Sequence, residues 1–176
     1  MKLFLVGYMG SGKSTVGRLL AKKLNCSFVD IDHFIENRYH QTISKIFGEK
    51  GEAGFREIEH RVLLEISNYE KVVVSTGGGL PCFFNNMELM NQTGTTIYLK
   101  ENIDELVKRL SLNKQNRPLI KEKNPEELRD FIETNLKIRE PVYNKAKFTI
   151  EVKKCSANSE INQWIEEIIN QITDSF

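Results

Sequence analysis

Residues 4 to 24, FLVGYMGSGKSTVGRLLAKKL, set four glycines and Lys13 between an apolar run and an amphipathic one. The order strand, Gly7-Tyr8-Met9-Gly10-Ser11-Gly12-Lys13-Ser14, helix satisfies G-x-x-x-x-G-K-[ST]. Bare backbone at such a loop lets successive N–H groups point inward, and the helix that follows adds its unpaired amides and the positive end of its dipole. The result is a nest for a polyphosphate. Lys13 is placed to reach the β- and γ-phosphates, and the Ser14 hydroxyl to meet Mg²⁺. The motif alone leaves open whether a nucleotide is hydrolysed, used as a phosphoryl donor or sensed.

A strand that feeds such a loop belongs to a parallel sheet. Short β-rich runs at 2–6, 27–30, 71–75, 95–99 and 147–152 are each separated from the next by helical periodicity. The first helix starts at about Lys13 and turns Val16, Leu19, Leu20 and Leu24 to one side. Further helices are predicted at 32–48, 52–68, 83–91, 102–111, 125–139 and 159–172, the last with Ile161, Trp164, Ile165, Ile168 and Ile169 as a core stripe. LNKQNRPLIKEKN, from Leu112 to Asn124, has little periodicity and reads as a polar lid between helices.

The 176 residues form a single domain, and 25 Lys plus Arg against 24 Asp plus Glu give it no global field to recruit nucleic acid or an anionic membrane. Cys26, Cys82 and Cys155 have neither disulfide nor zinc spacing, which points to a reducing cytoplasm. LFLVG is too short for a membrane span. With no obvious exposed apolar stripe, a monomer is expected.

Several constellations narrow the chemistry. VDIDHF ends the second strand with Asp30 and Asp32, read as lying on one side of an extended segment. One acid can hold Mg²⁺ through water while the other orients an acceptor hydroxyl or takes its proton; a helix N-cap is the plainer use of either. Arg56 and Glu59 stand three residues apart on a helix, where the carboxylate can orient a guanidinium fork for a carboxylate ligand or simply form a surface pair. STGGGL puts three glycines at the carboxyl end of a core strand, where Gly78 and Gly79 can offer amides to a ligand or make a tight turn before Pro81. Arg117 in the lid is placed to close on the phosphates, and Arg139 to supply a second guanidinium.

GYMGSGKST, DIDHFIE, IFGEKGEAGFREIE, STGGGL, RPLI and REPVYNKA occur in that order from residue 1 to about 150, and together they resemble the shikimate kinase family. The resemblance implies a nucleoside-monophosphate-kinase-like fold: one P-loop kinase domain, five parallel strands in order 2-3-1-4-5, a lid at about 112–124 and a substrate-binding helical segment at about 32–62. It implies ATP and Mg²⁺, and transfer of the γ-phosphate to the 3-hydroxyl of shikimate. By position, Gly10, Ser11, Gly12, Lys13, Ser14 and Thr15 bind the ATP phosphates, and Ser14 and Asp30 serve the metal. Asp32 contacts the ring hydroxyls as base or orienting group, Arg56 and Arg139 hold the carboxylate, Gly78 and Gly79 give backbone contacts, and Phe47 and Phe55 line the pocket. Lys13, Asp32 and Arg117 carry the catalysis. Adenine lies between Arg109 and the segment EVKKCSAN, which departs from the family in lacking a proline. Other small-molecule P-loop kinases, of gluconate or nucleotides, share the fold. A GTP-dependent switch is the more distant alternative, since NKQN has Asn116 where a guanine-reading N-K-x-D needs aspartate.

Overall fold

The computed structural model describes residues 1–113, 120–155 and 157–173. The strands are β1 (Lys2–Val6), β2 (Ser27–Asp30), β3 (Val72–Ser75), β4 (Thr95–Lys100) and β5 (Phe148–Glu151). They form one sheet in the order β2-β3-β1-β4-β5, every neighbouring pair parallel, with Phe4 opposite Val74 on one side and Thr96 on the other. The expected sheet order and strand positions agree with this to within a residue or two at the ends.

The seven helices of the described residues are α1 (Lys13–Lys23), α2 (Ile31–Tyr39), α3 (Ile43–Ile66), α4 (Asn86–Thr93), α5 (Ile103–Leu112), α6 (Pro125–Tyr143) and α7 (Asn158–Thr173). Alternation along the strands sends successive side chains to opposite faces. Leu3, Leu5, Val73, Ile97 and Leu99 meet Val16 and Leu20 of α1 and Trp164, Ile165, Ile168 and Ile172 of α7. Phe4, Val6, Val72, Val74 and Tyr98 meet α3, α5 and α6 through residues such as Val62, Leu106 and Ile132.

Several helix boundaries differ from expectation, α6 among them, which ends at Tyr143 and not at 139. The stretch predicted as 32–48 breaks at His40, which adopts a left-handed conformation (φ 50°), and Thr42 caps a new helix by accepting from the Lys45 amide. That new helix continues through the expected break at Gly51 with only a kink, where φ is 68° and ψ −179°. The helix after the glycine triplet begins at Asn86 and not 83, because Leu80–Cys82 first makes a turn of 3₁₀ helix. At the other end of the molecule α6 starts with a reciprocal cap between Asn124 and Glu127 and runs past Pro141 to Tyr143. Residues 114–119, with all of NKQN after Asn113 and much of the expected lid, lie outside the described residues. Among the described residues no helix is long and apolar enough to cross a membrane.

Candidate active site

β1 lies at the middle of the sheet, so the loop that leaves its carboxyl end has the ends of β3 and β4 on either side. Gly10 and Gly12 there take φ of 84° and 89°, a region that side chains rarely adopt, and curl the loop into the start of α1. Lys13 is buried, and its Nζ donates to the carbonyls of Gly7 and Tyr8 at 2.9 and 2.8 Å. This loop opens on a cleft of about 780 Å³ whose walls include Gly10, Ser11, Gly12, Lys13, Ser14, Thr15, Asp30, Asp32, Gly78 and Arg109.

The Ser14 hydroxyl donates to Asp30 Oδ2 at 2.5 Å and lies 3.4 Å from Ser75 Oγ. A hydroxyl and a carboxylate brought together beside a phosphate nest are the hard oxygen donors that Mg²⁺ takes from a protein when phosphates and water complete its shell. Asp30 also caps α2 by accepting from the His33 amide at 3.4 Å, so the capping use and the site position coexist. Asp32 does not share an extended segment with Asp30: β2 ends at Asp30, and Asp32 stands in the first turn of α2 on the wall of the cleft.

Arg56 of α3 is buried. Its Nη1 donates to Glu59 Oε2 at 2.6 Å, its Nη2 to Glu52 Oε1 at 3.1 Å, and Phe83 covers it with its ring centroid 4.4 Å from Cζ. The surface-pair alternative is thereby excluded. Arg56 Nε is buried with no acceptor among the described residues. Glu59 is 1 % exposed, and burial pushes its carboxyl up to about 7 against the opposing pull of Arg56.

The glycine triplet is where these groups crowd the backbone. A Cβ on Gly77 would stand 2.7 Å from Glu59 Oε1 and 3.0 Å from Asp32 Oδ1, and one on Gly78 would stand 3.1 Å from the Met9 amide nitrogen. One on Gly79 would fall 2.7 Å from both terminal nitrogens of Arg56. Gly77 and Gly79 are therefore held to hydrogen for a steric reason and Gly78 is tightly packed, with φ outside the left-handed region at each. On α6, half-buried Arg139 lies 5.7 Å from the centre of the Tyr8 ring, and the Tyr143 hydroxyl donates to the Gly78 carbonyl at 2.5 Å. Phe47 and Phe55 pack with ring centroids 5.5 Å apart.

Arg109 of α5 donates through Nη1 to the Gly10 carbonyl at 3.2 Å and lines the cleft together with Val152, Lys153, Lys154 and Cys155. Arg117 lies outside the described residues.

The family model described as shikimate kinase matches residues 9–174. This chain belongs to the shikimate kinase family. It is 52 % identical over 161 residues to the shikimate kinase of Parabacteroides distasonis, covering 92 % of this chain and 93 % of that one. The crystal structure of shikimate kinase from Bacteroides thetaiotaomicron is similar with a TM-score of 0.93, 42 % identity and coverage of 99 % and 98 %. That of the Acinetobacter baumannii shikimate kinase in complex with shikimate gives 0.87, 38 %, 99 % and 93 %.

In this shikimate kinase family member the structure gathers Lys13, Ser14, Asp30, Asp32, Gly78 and Arg109 around one cleft. Arg56 and Gly79 adjoin it through the glycine triplet, and Arg139 through Tyr8. Reading the sequence missed Gly77, Phe83 and Tyr143. The run of three glycines was the available signal for Gly77, and REPVYNKA that for Tyr143; Phe83 carries no motif and is recognisable only by what it touches.

Proposed function

We propose that this protein transfers the γ-phosphoryl group of ATP to the 3-hydroxyl of shikimate, giving shikimate 3-phosphate and ADP. Family membership supports the reaction. The observation that carries the substrate is the buried Arg56 fork, whose Nε has no acceptor among the described residues, set beside the phosphate loop and Asp32. A buried guanidinium with an unmet donor favours a planar carboxylate, which it can engage with parallel hydrogen bonds. Arg139 supplies a second positive charge to that carboxylate, and the Gly78 and Gly79 backbone the polar contacts beside it.

The amides of Gly10 to Thr15 cradle the ATP phosphates, and Lys13 exchanges its bonds to the Gly7 and Tyr8 carbonyls for phosphate oxygens. Arg109 and the 152–155 segment hold adenine between them. Ser14 and Asp30 would hold Mg²⁺, which when bound neutralises charge on the phosphoryl group. Asp32 orients the acceptor hydroxyl and receives its proton as the new O–P bond forms and the bond from Pγ to the bridging oxygen breaks, the electron pair leaving on ADP. Arg117, outside the described residues, adds its positive charge to the transferred phosphoryl group. Most of the acceleration is positioning and electrostatic stabilisation. The enzyme works as a monomer in the cytoplasm, where ATP is made available.

ADP release with Mg²⁺ and ATP, compared for shikimate, gluconate, a nucleoside monophosphate and no acceptor, tests this reading. Release that depends on shikimate alone is expected. Release with another acceptor, or none above background, would overturn it.

A further inference from the structure

The chain carries a buried carboxylate next to the nucleotide side of the cleft that no step above uses. Glu101 directly follows β4, and its side chain is 2 % exposed. Burying a carboxylate is costly without compensation, so its surroundings should show what retains it. Capping of α5 does not: Asn102 performs that, its side chain accepting from the Asp104 amide at 2.8 Å. Among the described residues Glu101 Oε1 accepts only the neighbouring Asn102 amide, at 3.0 Å.

Its other oxygen, Oε2, lies 2.8 Å from Arg109 Nη1, a close ion pair outside hydrogen-bond geometry. The same nitrogen donates to the Gly10 carbonyl of the phosphate loop, and a Cβ on Gly12 would be 3.8 Å from it. Arg109 is therefore clamped at one end between a strand terminus and the loop. Lys154 pairs with Glu105 at 2.5 Å, tying the segment after β5 to α5. Arg109, Glu105 and Lys154 all line the cleft, and Glu101 does not.

We infer that Glu101 is a positioning residue of the nucleotide site, holding the Arg109 guanidinium against the phosphate loop so that it is preset to receive the base. The inference rests on the assignment of Arg109 to adenine made above. Glu101 touches no substrate and acts through Arg109 alone. Arg109 is about one third exposed, and without the anchor its long side chain would sample many rotamers that nucleotide binding must then restrict.

A double-mutant cycle tests this, read by ADP titration calorimetry on Glu101→Gln, Arg109→Ala and the double variant. Glutamine keeps an acceptor for the Asn102 amide while removing the charge. Loss of a buried ion pair transmitted through one side chain should weaken ADP about 5- to 10-fold. The KM for ATP should rise in parallel, with kcat and the KM for shikimate unchanged. In the Arg109→Ala background the glutamine should add nothing. Unchanged ADP affinity in Glu101→Gln, additive losses in the cycle, or a joint change of kcat and both KM values would overturn the inference. Should Glu101→Gln fail to fold, Glu101→Asp, which keeps the charge and shortens the arm, carries the same cycle and should show a smaller loss with the same non-additivity. ADP binding needs no acceptor, so the cycle remains readable if the phosphoryl acceptor is another molecule.

Discussion

Gly79 and Arg56 meet with no room for a methyl group between them: a Cβ on the glycine would lie 2.7 Å from both terminal nitrogens of the guanidinium. The fork cannot swing aside cheaply, since Glu59, Glu52 and the Phe83 ring pin it. Gly79→Ala should therefore displace the carboxylate-binding group without touching the phosphate loop. Loss of good bidentate geometry should raise the KM for shikimate about tenfold or more and leave ADP affinity unchanged. Steady-state kinetics with each substrate varied, beside an ADP titration, checks the split; an unchanged shikimate KM would contradict the placement of the substrate against Arg56.

Glu59 predicts a pH dependence of stability. Its carboxyl is raised by burial from 4.5 to about 7, so the folded chain binds an extra proton between those values. Stability from that proton is complete below about pH 4.5 and is lost as pH rises through 7. The change is about 3 kcal/mol. Glu59→Gln carries no such proton, so the stability of the wild type minus that of the variant should fall by this amount between pH 5 and 8. Urea unfolding at half-unit pH intervals measures the difference, and a level curve would exclude Glu59 as its source.

Asp32 separates chemistry from nucleotide binding. It stands on the cleft wall in the first turn of α2, beside Gly77. Asp32→Asn preserves shape and removes the proton acceptor, so kcat should fall by about 10²-fold or more. ADP affinity should hold. Turnover near that of the wild type would refute the assigned role.

The sheet was legible because its signals are local. G-x-x-x-x-G-K-S marks the β1 edge, and short apolar strands alternating with amphipathic helices leave few arrangements other than a parallel sheet. The break between α2 and α3 was hidden because a histidine, His40, takes the left-handed turn that glycine usually announces. Gly51 misled in the opposite sense, since the helix resumes beyond it. At the candidate site the spacing of Arg56 and Glu59 was visible. Their burial was not, for it comes from Gly77, Gly79 and Phe83, further along the chain. Glu101 has no motif at all, and its partner is eight residues away at the far side of a helix turn sequence that reads as ordinary amphipathic surface.

Tyr143 offers a final test, of how firmly the glycine triplet is held. The side chain is fully buried at the end of α6, and its hydroxyl donates to the Gly78 carbonyl at 2.5 Å while its ring lies 5.2 Å from that of Tyr98. Burial pushes the phenol up, so it remains a donor throughout the working pH range. Tyr143→Phe keeps the ring packing and leaves the carbonyl without this donor, which should cost about 1–2 kcal/mol. Because Gly78 also abuts the Met9 amide, the freed backbone should shift and raise the KM for shikimate as well. Tyr98→Phe is the comparison: its hydroxyl reaches Glu140 only at 3.5 Å, so its loss should cost less than half as much. Thermal melts of both variants measure the two costs, and equal destabilisation would show that the Gly78 bond adds nothing beyond the loss of a buried hydroxyl.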